Sequence, residues 1–321
     1  MPKSTFLPRA DRLPSLLDPK SCGEDLIYNT VRVSELAPDH CVGCADYHIR
    51  SATQRCFGLA KGIAHDRPHI IQLFTKIIAD KAASSDTNIA IVIPGSADTG
   101  ILATCAHAAA KLGTSILDRC RFIVLDRCPT PLLLCREFAA QHRISLETRQ
   151  IDLQTTIHRF YADLIVVHSL FRFIHRTNQV QLLNMLGDWL VPGGRIILST
   201  SLRTGEPAEK LMERRKRTLA NQKFREILAN GSLKMRESPE QIFARLDRSM
   251  GDSEGRTGEI HSLADARALF AQSQLREILA QSLTWEIELA PGETIRRDRV
   301  LAILCRQDDR SGMAIREAPL P

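Results

Sequence analysis

Gly95, Ala97 and Gly100 stand in G-x-A-x-x-G spacing, directly after the apolar, β-branched run Ile89–Ile93. Small residues in such a turn let backbone approach a ligand closely, and the first N–H groups of a following helix open onto the same spot. Pro94, Gly95, Ser96, Ala97 and Gly100 are therefore candidate contacts for a nucleotide-like cofactor, although a plain strand–turn–helix accounts for the same small residues. Two acids follow. Asp126 ends RFIVLD, with Arg127 next to it, and a carboxylate there can accept both hydroxyls of a ribose. Asp152 stands beside Leu153 in IDL, where it can accept from an adenine amino group. Either acid could instead cap a helix or sit in a loop. His168 ends DLIVVH, where an imidazole can serve as a general base or be a buried strand-end histidine satisfied by one hydrogen bond. His175 reads as a surface histidine. Asp98, inside the glycine turn, can face an ammonium group or cap the next helix.

The segment HCVGCADYHIRSATQRCFG gathers Cys41, Cys44, His48 and Cys56. A C-x-x-C pair with a nearby His and Cys can supply a tetrahedral zinc set. The spacing fits none of the common zinc patterns and no second C-x-x-C occurs, so the segment is read without a metal.

Alternating strands and helices must position these residues. Before about Ser85 the chain reads as helical and irregular. Its clearest element is PHIIQLFTKIIADKAA, with Asp66 as cap, Pro68 in the first turn and an apolar stripe of Ile71, Phe74, Ile77 and Ile78. Strands are expected at Ile89–Ile93, Arg121–Asp126, Ile144–Ile151, Asp163–His168 and Arg195–Thr200. Helices are expected from Gly100 to Leu112, from near Thr130, and from Asn178 to Leu190, the last ending at VPGG. Continuous apolar strands between helices imply a parallel sheet covered on both faces. From Thr204 to about Ile260 no strand-like run occurs; two helices are expected, EKLMERRKRTLANQKFREIL and PEQIFARLDRSM. A helix at Ala264–Ala271, a strand at Leu283–Leu289, a turn at Pro291–Gly292 and a strand at Arg299–Cys305 close the chain, the two strands antiparallel.

Composition sets wider bounds. The 321 residues are 44% hydrophobic and 25% charged, as in an ordinary globular protein with a sizeable core. No apolar run reaches membrane-span length, and MPKSTFLPRADRLP lacks the apolar stretch of a secretory signal, so a cytoplasmic location is expected. Nine cysteines without a regular framework argue against disulfide stapling; Cys105, Cys120, Cys135 and Cys305 sit in apolar runs. The net charge of +6 is mild, and much of it comes from Lys210, Arg214, Arg215, Lys216 and Arg217. With aromatics only 5% and none interleaved with that run, single-stranded RNA binding by stacking is disfavoured.

The ordered set of Gly95, Ala97 and Gly100, then Asp126, then Asp152, then the LVPGG turn at Leu190–Gly194, strongly resembles the class I S-adenosylmethionine-dependent methyltransferases. It covers roughly Asn88 to Ser201 and the closing strand pair. The resemblance implies an α/β fold with a Rossmann-like, seven-stranded mixed sheet between helices, its last strand inserted antiparallel. It implies S-adenosylmethionine as cofactor, Asp126 on the ribose hydroxyls, and Asp152 and Leu153 flanking the adenine. The family's N-terminal helices often fold over the cofactor mouth, which makes Asp46, Tyr47, His48 and Arg50 candidate contacts, with a solvated helix face as the alternative. The chain departs from the pattern where Ile93 replaces the usual acid and Ala97 the second glycine.

The expected division is an N-terminal helical segment at 1–86, a core at 87–203, a substrate-recognising insertion at 204–260, completion of the core at 261–309 and a tail at 310–321. The expected activity is methyl transfer to a small or medium-sized metabolite, with an anionic acceptor allowed, His168 as base or orienting group, and a homodimer admitted. The rivals are a nicotinamide dehydrogenase, which leaves Asp152 and VPGG unexplained, an RNA or protein methyltransferase docked through the basic helix, and a non-catalytic module of the same fold.

Overall fold

The computed structural model describes residues 13–41, 44, 47–60, 66–203, 207–229, 237–249 and 258–309. Four helices come first: α1 (Leu13–Leu17), α2 (Leu26–His40), α3 (Tyr47–Ala60) and α4 (Arg67–Ser84). Then β1 (Ile89–Pro94), α5 (Gly100–Lys111), α6 (Thr114–Arg119), β2 (Cys120–Asp126), α7 (Pro129–His142), β3 (Leu146–Gln150), β4 (Ala162–His168), α8 (Gln179–Trp189) and β5 (Leu190–Ser201) alternate. The helices α9 (Pro207–Ala229), α10 (Pro239–Ser249) and α11 (Leu263–Ala271) precede a long hairpin of β6 (Leu275–Ala290) and β7 (Glu293–Arg306).

Among the described residues one sheet of seven strands runs in the order β3-β2-β1-β4-β5-β7-β6. The first five strands are parallel, and β7 enters antiparallel between β5 and β6. The mixed sheet with an inserted antiparallel strand is the arrangement that the methyltransferase resemblance implies.

Strand periodicity explains why the sheet is covered twice. In β1, β2 and β4 the residues Ile91, Ile93, Phe122, Val124, Leu164 and Val166 join a core with Phe74, Leu102 and Phe138 of α4, α5 and α7. Their alternates Val92, Ile123, Leu125, Ile165 and Val167 join the opposite core with Leu186, Trp189 and Phe270 of α8 and α11. Period-two side chains thus bury both faces, which is why these strands read as unbroken apolar runs. A third apolar layer joins Val33 and Leu36 of α2, Ile49 of α3, Leu134 of α7, Phe224 of α9 and Ile242 and Leu246 of α10. Helices α2 and α3 therefore pack with α9 and α10.

Several boundaries differ from expectation. The LVPGG segment lies within β5 rather than before it, with Ala162 of β4 opposite Leu190. Strand β6 begins at Leu275, not Leu283, because LREILAQS pairs along β7 despite its helix-forming residues. Among the described residues no helix is long and apolar enough to cross a membrane.

Candidate functional site

The sheet order reverses between β1 and β4, and in open α/β sheets the ligand crevice lies beyond the strand C-termini at such a point. The glycine turn, the turn after β2 and His168 all stand there.

Gly95 adopts φ +70°, and its N–H donates to Leu125 O at 2.7 Å, fixing the turn after β1 to the end of β2. A Cβ at Gly95 would lie 2.5 Å from Leu170 Cδ1, so the position admits only glycine without rearrangement. Pro94 is buried at the end of β1. The Ser96 hydroxyl donates to Asp98 O at 2.6 Å. Asp98 is committed: its Oδ1 accepts from Gly100 N at 2.7 Å and pairs with Arg55 at 2.8 Å. It accepts from the first N–H of α5 and so caps that helix. Ala97 O accepts from His48 Nδ1 at 2.8 Å, so α3 reaches the glycine turn directly. Arg55 also pairs with Glu24, which binds Arg67 at 2.9 Å and takes the Thr99 hydroxyl, a buried network balancing two carboxylates with two guanidiniums.

Asp126 is half-buried at the end of β2. Its Oδ1 accepts from Cys128 N at 2.7 Å, and burial pushes the carboxyl up to about 6. Arg127 is exposed, with its carbonyl accepting from Gln150 Nε2 at 3.1 Å. Asp152 is exposed and closes a local turn by accepting from Gln154 N at 2.9 Å. Leu153 is half-buried against the α8 side of the core.

His168 is half-buried, and its Nε2 lies 2.9 Å from Asp66 Oδ2. The same oxygen accepts from Ser199 Oγ at 2.7 Å and faces Arg299 Nε at 3.0 Å. Asp66 was expected to cap α4 through its side chain, but it makes no cap hydrogen bond and turns to this network instead. Burial acts to raise its carboxyl, but the Arg299 charge and His168 outweigh that and hold it well below the usual carboxylate range. Arg299 also donates to Ser201 Oγ at 3.1 Å and Ser169 Oγ at 2.8 Å. Ser169, at φ +56°, turns the chain out of β4.

Tyr47 packs edge-on against His48 and, at 5.0 Å between centroids, against Phe173 from the segment after β4. Arg50 is buried, with its guanidinium 5.4 Å from the Tyr47 ring centre. Asp46 lies outside the described residues. His175 is an exposed cap on a short turn of helix, bonded to Thr177. The basic run is not one open face: Arg214 is exposed, Arg215 pairs with Glu293 and Arg217 is buried, while the Lys210 and Lys216 side chains lie outside what is described.

The cysteines regroup. Cys41, Cys44, His48 and Cys128 bring their ligand atoms within 4.8 Å of one another, whereas Cys56 lies on α3 outside that group. Sequence reading also passed over Glu24, Arg55, Ser199 and Arg299; none sits in a motif, and only the fold brings each to its partner.

No family model matches the chain, and no curated protein matches it. Solved structures do. A candidate O-methyltransferase of Nostoc punctiforme is 13% identical, covering 94% of this chain and 74% of its own, with a TM-score of 0.46. The mitomycin 7-O-methyltransferase MmcR is 15% identical, covering 94% and 69%, with a TM-score of 0.43. Coclaurine N-methyltransferase, bound to N-methylheliamine and SAH, is 14% identical, covering 67% and 51%, with a TM-score of 0.41.

Proposed function

We propose that the chain is an S-adenosylmethionine-dependent methyltransferase acting on a small or medium-sized molecule. The observation that carries this reading is Asp126. It stands half-buried at the end of β2, beside the left-handed Gly95 turn and one strand from the sheet's reversal point, where a sugar diol would be gripped. These residues fit the nucleoside half of the cofactor. At the methionine end the turn backbone around Pro94–Ala97 remains, since Asp98 is held by Arg55 and Gly100. The cofactor supplies an electrophilic methyl group when bound.

The chain's own residues would do the rest. His168, oriented through Nε2 by Asp66, keeps Nδ1 to take a proton from an acceptor hydroxyl or amine. Tyr47 and Phe173 form an apolar wall that helps exclude water. The shared apolar layer of α2, α3, α9 and α10 supports their acting together as the cover that selects the acceptor. The division of the basic run among exposed, paired and buried arginines favours a small acceptor over a docked macromolecule.

Calorimetry with S-adenosylmethionine and S-adenosylhomocysteine tests the reading. Both should bind, and Asp126→Asn should weaken both by about 10- to 100-fold, the worth of charge-assisted hydrogen bonds to a diol. Binding of neither would leave the fold as a non-catalytic module.

A further inference from the structure

We propose that Cys41, Cys44, His48 and Cys128 bind one structural zinc ion. Three sulfurs and one imidazole converge with their ligand atoms mutually within 4.8 Å. Cys128 Sγ lies 3.8 Å from Cys41 Sγ and 3.9 Å from Cys44 Sγ. A disulfide would need about 2 Å. A tetrahedral zinc with Zn–S bonds of about 2.3 Å sets its sulfurs about 3.8 Å apart. The two observed separations match that spacing.

The surroundings have the features of such a centre. His48 Nδ1 donates to Ala97 O at 2.8 Å, which leaves Nε2 as the ring nitrogen for the cluster. Metal-bound histidines characteristically donate their other N–H to a carbonyl or carboxylate, fixing tautomer and ring orientation. The Thr130 hydroxyl lies 3.2 Å from Cys41 Sγ, placed to donate to a thiolate. Cys41, His48 and Cys128 are buried and Cys44 half-buried. Four protein ligands of this kind close a tetrahedral shell, the arrangement of a structural rather than a catalytic zinc.

Cys41 and Cys44 form a C-x-x-C pair between α2 and α3, His48 lies in the first turn of α3, and Cys128 is the N-cap of α7. Cys128 lies 84 residues beyond Cys44, so the fold, not sequence proximity, completes the set. Cys56 does not take part. On binding, zinc displaces the three thiol protons to solvent and takes the neutral imidazole, with no change of oxidation state. The ion would tie the α2–α3 connection to the turn after β2 and, through His48, to the glycine turn.

Metal content needs no cofactor to be read, so this proposal stands or falls apart from the methyltransferase reading. Full-length protein purified from zinc-supplemented cells should contain about one zinc per chain by elemental mass spectrometry. Cys128→Ser and Cys44→Ser should each lower that at least fivefold, while Cys56→Ser should leave it unchanged. Should the serine variants fail to fold, wild-type protein stripped by a chelator and titrated with Co(II) should show the visible absorption of tetrahedral, thiolate-bound cobalt, saturating at one equivalent. Protein that holds no stoichiometric zinc and develops no cobalt spectrum would overturn the proposal. So would zinc retained in Cys128→Ser or lost from Cys56→Ser.

Discussion

Replacing Asp66 by Asn tests the junction between the N-terminal helices and the sheet. Asp66 Oδ2 faces Arg299 Nε at 3.0 Å and His168 Nε2 at 2.9 Å, and the Asp66 and Arg299 side chains are only 13% and 11% exposed. Removing one partner of a buried ion pair costs about 3–5 kcal/mol, because the other charge is left uncompensated. Arg299 keeps the hydroxyls of Ser199, Ser201 and Ser169 at 3.0, 3.1 and 2.8 Å. Those acceptors place Asp66→Asn near the low end, about 3 kcal/mol, or a Tm lower by about 5–10 °C. Urea unfolding of the single variants and of Asp66→Asn/Arg299→Met completes a cycle. Removing both charges leaves no orphan, so the double variant should cost at least ~1.5 kcal/mol less than the sum of the singles. The pH dependence gives a second handle. A carboxyl depressed in the fold contributes its full stability above its unfolded value near 3.9 and loses it as pH falls towards the folded value. The wild-type advantage over Asp66→Asn should therefore shrink by about 1 kcal/mol between pH 5 and pH 3. Additivity within about 0.5 kcal/mol, or an advantage unchanged at pH 3, would refute the reasoning.

His168→Ala should leave affinity for S-adenosylhomocysteine unchanged but cut methyl transfer to an accepted substrate about 100-fold. His168→Gln, which can still donate to Asp66 but takes no proton, should not restore turnover; rescue by Gln would make His168 a positioning residue. Gly95→Ala should destabilise by about 2–4 kcal/mol, from the left-handed backbone and the 2.5 Å approach to Leu170 together, as read by urea unfolding. Adding Leu170→Ala should cost less in that variant than in the wild type, because it also removes the clash.

Much of the architecture was legible because each central strand is buried on both faces. IAIVI and RFIVLD carry β-branched and apolar residues at consecutive positions, a pattern that polar-faced strands do not show. Gly95 and Asp126 were legible for a related reason: a breaker or an acid ending such a run marks the strand's C-terminal edge. What the sequence concealed were partners. Asp66 precedes a proline-containing first turn and looks like a cap, yet His168 and Ser199, 102 and 133 residues on, claim its carboxylate. Asp98 had two readings, and Arg55 decides between them. Cys56 is nearer than Cys128 to the C-x-x-C pair in sequence, but α3 carries it elsewhere while the sheet delivers the N-cap of α7. The start of β6 was concealed as well, because an outer strand with glutamates, arginine and glutamine along it is stabilised only by its pairing with β7.

These hidden partners share a location. The glycine turn after β1 is held by His48 and Arg55 of α3, the turn after β2 by the sulfur and imidazole cluster, and the end of β4 by Asp66 at the start of α4. The ends of β1, β2 and β4 therefore each have a polar anchor in the first 70 residues. An apolar lid could lift away at the cost of its buried area alone. Lifting these helices would part Arg55 from Asp98 and Asp66 from Arg299, charges that are satisfied only while the helices stay in place. The Tyr47–Phe173 contact adds an aromatic link between α3 and the segment after β4.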